Sequence, residues 1–287
     1  MELFLQTFAN GLTASAMYAI IAAGLSLTFG VMNTVNYAHG EFYMLGAYTV
    51  WQLYAVHHWP FIAAVGMATL LLGILGVVAE KLIFRPVRGK ILSSFIISIG
   101  LVFIIQVSVA RMWGIGHVKP VPVAFKGALV LFGVSIGWQR VAIFPAAIFV
   151  FGLLFLFLGR ARWGRALRAV AQNSEAASLH GINVNKCAVI ALCIGSAMAG
   201  LAGGLMSPIM SVTPYMGHFV IWTCFVIVIV GGAGNLKGTI LAALLFGYLH
   251  TVVSTFFDST IGQIVSSLFM LAFLAIRPQG ILGYAEK

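Results

Sequence analysis

The sequence predicts an all-α, polytopic membrane protein of about eight to nine transmembrane helices, one of them a candidate for a break near residues 31–40, with a long cytoplasmic loop. Three observations carry this. Only 8% of the 287 residues are charged while 61% are hydrophobic, and the mean hydropathy is +1.06. Soluble domains need about 25% charge to be solvated by water, so lipid must be the main solvent. The apolar residues fall in successive runs of the length, roughly 20 residues, that crosses a hydrocarbon core. Glycine, at 32 residues, is as abundant as close packing of helices within lipid requires. A soluble globule is excluded, and no length remains for a separate soluble catalytic domain.

In chain order, the runs lie at 5–30, 37–56, 60–83, 91–112, 138–158, 187–208, 215–233, 238–256 and 259–276. The first has no basic residue before Lys81, hence no positive flank of the kind that marks a secretory signal, and is expected to stay as a span. Between the first two runs, the connection at 33–40 is short and polar enough to sit within the bilayer as a helix break. The loop at 113–137 carries Pro120, Pro122 and a semi-alternating stretch that suits a short hairpin on the external side. The loop at 160–186, basic and alanine-rich, suits one or two short helices along the membrane surface. Gly195, Ala199 and Gly203 form a small-residue row, Ser196, Gly200 and Gly204 the row beside it, and Gly11, Ser15, Ala19 and Ala23 a third. Such rows read as close bundle packing or as a moving seam.

A formal charge of +10 would raise the question of nucleic acid in a soluble protein; in a membrane protein it reads as loop charge that sets orientation, and no nucleic-acid partner is expected. With the 160–186 loop inside, 12 of the 16 basic residues are cytoplasmic; Arg111, Lys119, Lys126 and Arg140 remain outside, and the C-terminus is cytoplasmic. Cys187, Cys193 and Cys224, odd in number and all in apolar runs, form neither a disulfide framework nor a metal-ligand spacing.

Asn36-Tyr37-Ala38-His39-Gly40-Glu41-Phe42-Tyr43 is the densest polar group bordering the apolar runs of the first half, and Glu41 is the single carboxylate between Glu2 and Glu80. An acid and an imidazole two residues apart in or near a bilayer mark a functional site by default. They can line a solute path at a broken helix, or clamp the break with Glu41 held at a helix start; the two roles are compatible. Gly231-Gly232-Ala233-Gly234-Asn235-Leu236-Lys237-Gly238-Thr239 imitates a phosphate loop but lacks its adjacent Gly-Lys-Ser/Thr order, and reads as a tight cytoplasmic turn. No catalytic constellation, metal site or cofactor is expected. Paired intramembrane acids that would bind a coupling ion are missing too, and Asp258 falls at an external turn. Uphill transport would therefore draw its power from elsewhere. The stretch 164–177, with small residues beside Arg165 and Arg168, could be embraced by a cytosolic partner or be held by anionic membrane lipid; spacing alone leaves both open.

These residues resemble the inner-membrane permeases of bacterial branched-chain amino acid ABC transporters, the LivH type. The likeness begins over 19–32 and continues through the Asn-x-Ala-His-Gly-Glu core at Asn36 to Glu41. It takes in Glu80-Lys81-Leu82-Ile83-Phe84-Arg85-Pro86-Val87-Arg88, the stretches 164–182 and 231–238, and Arg277-Pro278-Gln279-Gly280-Ile281-Leu282-Gly283. The resemblance implies one transmembrane permease domain over 1–287, paired with a second, related permease. Two cytosolic ATP-binding subunits would hydrolyse ATP, and a periplasmic solute-binding protein would deliver branched-chain or other hydrophobic amino acids. It implies that Asn36, His39, Gly40, Glu41 and Tyr43 belong to the pathway or its helix break. It also implies that the 160–186 loop couples to the ATPases through Gly164, Arg165, Arg168, Asn173, Glu175, Ala176, Ala177 and Gly181. Glu175-Ala176-Ala177 with Gly181 follows the start of the ABC importer coupling motif; its usual Ile-x-Leu-Pro end is missing after Gly181. Relatives within the family carry urea or short amides, and the Phe29, Asn36-Tyr37 and Phe42-Tyr43 choices resemble the amino acid branch more. Outside this class, the rivals are an ion-coupled carrier with His39 and Glu41 as a proton relay, and a passive channel or scaffold.

Overall fold

A computed structural model describes residues 2–114, 118–131, 134–277 and 279–282. Each expected apolar run coincides with a helix. The first, α1 (Glu2–Met32), ends where Asn33 turns into the left-handed region at φ 47°, a conformation that a short polar side chain tolerates. After residues 33–38 comes α2 (His39–Val50), whose last turns widen into a π-helix over Trp51–Val56. Pro60, placed where its missing N–H costs nothing, precedes α3 (Phe61–Ala79), which also widens into π turns over Glu80–Phe84 before Pro86 stops it. The next helix is α4 (Ile91–Trp113).

The hairpin expected in the 113–137 loop is present over its second half, as β1 (Ala128–Leu131) paired antiparallel with β2 (Val134–Gly137). This hairpin makes the fold nearly, rather than wholly, helical; residues 115–117 and 132–133 of that loop lie outside the described residues. Then come α5 (Trp138–Val141) and α6 (Ile143–Arg160), followed by two short helices within the basic loop, α7 (Arg162–Gln172) and α8 (Ser174–Leu179). The chain finishes with α9 (Val184–Met206), α10 (Met216–Gly231), α11 (Leu236–Phe256) and α12 (Ser259–Ile276). The phosphate-loop lookalike is a tight turn between α10 and α11: Gly232 and Gly234 take positive φ, and Asn235 caps α11 by accepting from Gly238 N at 3.1 Å. Of the C-terminal motif, Pro278 and Gly283 lie outside the described residues.

Among the described residues, six helices are long and apolar enough to cross a membrane: α1, α3 with its extension, α4, the α5–α6 segment, α9 and α11. α10 and α12 are apolar but shorter. The chain is thus polytopic, and α2, α10 and α12 are the members of the expected set that do not meet the length of a full span.

The core lies around α1, α2 and α9, with α9 packed on α1, α2 and α3, and α1 also on α11. α4, α6 and α12 turn large apolar side chains such as Leu92, Phe103, Ile148 and Leu268 outward, as lipid contact requires. Along the α2–α9 seam the rows of small residues meet backbone to backbone. A Cβ on Gly46 would collide with the carbonyl of Gly200, and one on Gly203 with the carbonyl of Tyr43. Only glycine permits that approach.

Candidate translocation site at a helix break and the basic loop

The break begins with a reversal. After Asn33 the chain runs back along α1, so that His39, the first residue of α2, bonds through Nε2 to the carbonyl of Ile21 at 3.1 Å. Ile21 stands 11 residues before the end of α1, about 16 Å into the bundle at 1.5 Å per residue. α2 therefore starts deep inside. α10 starts against it, because a Cβ on Gly40 would strike the carbonyl of Gly217, and one on Gly217 that of Gly40. Two helix N-termini, each the positive end of a peptide dipole, meet in the interior.

Irregular backbone at this depth must have its polar groups satisfied by protein or must line a cavity. Part of the answer comes from α4. Ser94 Oγ accepts from Val35 N at 3.3 Å and Ser98 Oγ accepts from Tyr37 N at 3.0 Å. Glu41, only 1% exposed, accepts from Gln106 Nε2 at 3.0 Å through Oε1. The carboxylate at this helix start is thus held by a side-chain amide. Tyr43 is fully buried with its hydroxyl facing the sulfur atoms of Met17 (3.7 Å) and Met210 (3.8 Å). Tyr37 stacks on Phe225 with ring centroids 5.7 Å apart. Four polar positions remain without a protein partner: both side-chain atoms that can bond on Asn36, Nδ1 of His39, and Oε2 of Glu41. Native structures leave few such atoms without a reason. Asn36, His39, Gly40, Glu41 and Tyr43 are thus gathered at one interior locus, and an apolar cavity of about 440 Å³ reaches Asn36 and Tyr37.

The basic loop is built as a rigid corner. Gly164 lies flush on the carbonyl of Phe157 at the end of α6, where a Cβ has no room. α7 buries Leu167 and Val170 and presents Arg165 and Arg168 outward, and Arg165 Nη1 donates to the carbonyl of Arg160 at 2.7 Å. Asn173 caps α8, its Oδ1 accepting from Ala176 N at 2.9 Å, while Glu175 sits in the first turn, where the dipole favours a carboxylate. At the other end Gly181, with φ 78°, completes a Schellman cap. Its N–H donates to the carbonyl of Ser178 at 2.9 Å, and Ile182 N donates to that of Ala177 at 3.1 Å. Ala177 faces the bundle; Glu175 and Ala176 face away.

A cavity of about 690 Å³ joins the two regions, with Met32 and Asn33 on one wall and Gln172 to Glu175 on another. Arg88 also borders it. There the structure adds a group that sequence reading passed over as a motif only: Glu80, fully buried, is the second interior carboxylate. It accepts from Arg85 at 3.1 Å and from Arg88, whose other branch donates to Asn185 Oδ1 at 2.7 Å. Burial lowers the Arg88 guanidinium from its ordinary value, a value so high that it stays charged. The cluster pins the end of α3 to the start of α9. Ser94, Ser98 and Gln106 were also passed over; the signal was available in the polar residues scattered along a mainly apolar helix. Among the described residues no group of three or more His, Cys, Asp or Glu side chains gathers into a metal site.

Compared with known proteins, residues 7–274 match the family model described as the permease component of branched-chain amino acid transport systems. The chain belongs to that permease family. It is 32% identical to the high-affinity branched-chain amino acid transport system permease protein LivH of Escherichia coli, over 99% of this chain and 96% of that one. With the corresponding protein BraD of Pseudomonas aeruginosa the identity is 30%, over 99% and 97%. A ribose import permease protein of Haemophilus influenzae is 26% identical over 97% of this chain and 84% of its own. Among solved structures, PsaBC from Streptococcus pneumoniae in complex with Fab matches with a TM-score of 0.51 at 13% identity, covering 95% of this chain and 92% of that one, a likeness of fold alone. In this permease, then, the helix break and the capped basic loop sit in the frame of a transport component.

Proposed function

We propose that this permease forms half of the translocation pathway of an ATP-driven ABC importer for branched-chain or other hydrophobic amino acids. The observation that carries the reading is the shared cavity: the loop bearing the coupling-type motif borders the same space as the end of α1, immediately before the break. A push on α7–α8 is therefore delivered next to the segment that must rearrange. The orphaned polar atoms of Asn36, His39 and Glu41 support a pathway at the break, since lone acids inside a membrane mark solute paths.

In this reading, the end bearing α7 and α8 is cytoplasmic, in keeping with the excess of Lys and Arg there. The start of α1 and the hairpin are then periplasmic, the C-terminus is cytoplasmic, and the chain is one permease domain in the inner membrane. α2, α10 and α12 enter it as shorter spans that complete the set of eight to nine. Two cytosolic ATP-binding subunits dock on Arg165, Arg168 and the α8 surface, a second related permease closes the pathway, and a periplasmic binding protein delivers the solute. The doubly charge-reversed chain, Arg165→Glu with Arg168→Glu, tests this. The ATP-binding subunits should no longer co-purify and ATP-dependent uptake should fall to background; co-purification and uptake at the parent level would overturn the docking.

A further inference from the structure

α4 is joined to the rest of the chain more by polar bonds than by packing. Of the six long spans among the described residues it is the least enclosed, with 17% of its apolar stretch buried against 83% for α1. An apolar cleft of about 250 Å³ lies between it and α2 and α3, with Leu101 and Ile105 on one wall and Phe42, Leu75 and Ile83 on the other. Close-packed interiors leave few such gaps, so apolar contact holds α4 loosely. Four of its polar side chains supply the hold, and all four reach the break or α2 and its π turn. Ser94 Oγ and Ser98 Oγ donate to the carbonyls of Ile91 and Phe95 on their own helix, both at 2.8 Å, which leaves each oxygen free to accept from Val35 N and Tyr37 N. Gln106 Nε2 donates to Glu41, and Trp113 Nε1 donates to Gln52 Oε1 at 3.1 Å. A shift of α4 therefore carries the break with it or ruptures these bonds.

The other end of α4 is wired to the basic loop. Only Gly89 and Lys90 separate Ile91 from Arg88, whose Nη1 donates to Asn185 Oδ1 at 2.7 Å while Nη2 is anchored on buried Glu80. Asn185 is the second residue of α9 and stands four residues after Gly181, the cap that ends α8. The outgoing end of the loop and the start of α4 thus share one guanidinium. We propose that α4 is the lever through which movement of the α7–α8 loop reaches the helix break, with Asn185 and Arg88 as positioning residues at its loop end and Ser94 and Ser98 at its break end. This deepens the proposed function and rests on it, adding a bonded route where the shared cavity gives proximity. Ser98 lies seven residues along the helix from Ile91, about 10 Å at 1.5 Å per residue. A displacement applied at Arg88 is delivered over that distance to the amides of Val35 and Tyr37.

The lever is tested by the amount of labelled leucine accumulated per ATP hydrolysed, measured on the complete assembly in liposomes. Asn185 is exposed, so Asn185→Ala removes the acceptor from Arg88 without opening the core, and Glu80 keeps its arginines. The ATP-binding subunits should still co-purify with this variant and its thermal midpoint should match the parent's, while leucine per ATP falls by about threefold or more, the scale of mutations that interrupt coupling between sites. Asn185→Asp keeps an acceptor for Arg88 and should restore the ratio. Ser98→Ala cuts the same route at its other end and should lower the ratio too; combined with Asn185→Ala it should lower it no further than the weaker single variant, because two cuts in one route do not add. A parental ratio in Asn185→Ala, an equal loss in Asn185→Ala and Asn185→Asp, or losses that multiply in the double variant overturns the lever. Where Ser98→Ala fails to assemble, the contrast between the two Asn185 variants decides. Absence of ATP-dependent leucine uptake by the wild-type assembly would instead remove the functional reading beneath it.

Discussion

Glu80 shows how much a single side chain can depend on its partners. Fully buried at the end of α3, it is held by Arg88, itself largely buried, and by Arg85, whose side chain is 43% exposed. Removing one member of a buried pair leaves an uncompensated charge and costs about 3–5 kcal/mol, whereas an exposed partner is worth about 1 kcal/mol or less. Arg88→Met should therefore lower the thermal midpoint of the purified complex sharply, and Arg85→Ala only slightly; equal effects would show that the two arginines share the load. At the break, Ser98→Ala strips the acceptor from Tyr37 N and should destabilise by about 1–3 kcal/mol, read in the same thermal measurement. Glu41→Ala should abolish uptake while the complex still assembles, since Gln106 then loses its partner and the interior its acid; normal transport by that variant would sink the pathway reading of Glu41. Residue identity at 36–43 was legible in the sequence because polar groups in an apolar run stand out. Their partners were not, because Ser94, Ser98 and Gln106 reach the break only through the packing of a helix some sixty residues away in sequence.

Among the elements, the two that matter most are set by glycine and by caps. α8 has only six residues, too short to persist on its own propensity. Asn173 and Gly181 hold its two ends. Gly181→Ala forces a side chain into left-handed backbone at a cost of about 1–2 kcal/mol, and Asn173→Ala removes a cap worth about 1 kcal/mol. Both should speed amide exchange across 174–182 and weaken co-purification of the ATP-binding subunits without lowering expression; unchanged exchange would show that α8 is held by burial of Ala177 instead. The small-residue rows left close packing and a moving seam both open. The structure supplies the packing, through Gly46 on Gly200 and Gly203 on the Tyr43 carbonyl. Apolar runs placed the membrane-embedded helices, yet the widening of α2 and α3 into π turns follows no local pattern. Nor did sequence show that α2 and α10 begin against each other.

For the molecule as a whole, low charge foretold lipid as solvent and the runs foretold the helices, because both follow from transfer energies that each residue carries with it. Sidedness is read from loop charge and has a direct check. Leu179, 87% exposed at the end of α8, should as Leu179→Cys react in intact cells with a membrane-permeant maleimide and not with an impermeant one, beyond the labelling of the parent chain. Reaction with the impermeant reagent would reverse the orientation. The scarcity of interior acids bears on energy as well, for Glu80 is neutralised by arginine and Glu41 is tied to Gln106, which leaves no paired interior acids among the described residues to bind a coupling ion. Reconstitution in liposomes tests that claim most directly. The chain alone should take up no labelled leucine under an imposed pH gradient. The complete assembly of two permeases, ATP-binding subunits and solute-binding protein should accumulate leucine when ATP is supplied on the side of α7–α8, with or without the gradient. Uptake by the chain alone, driven by the pH gradient, would contradict the account.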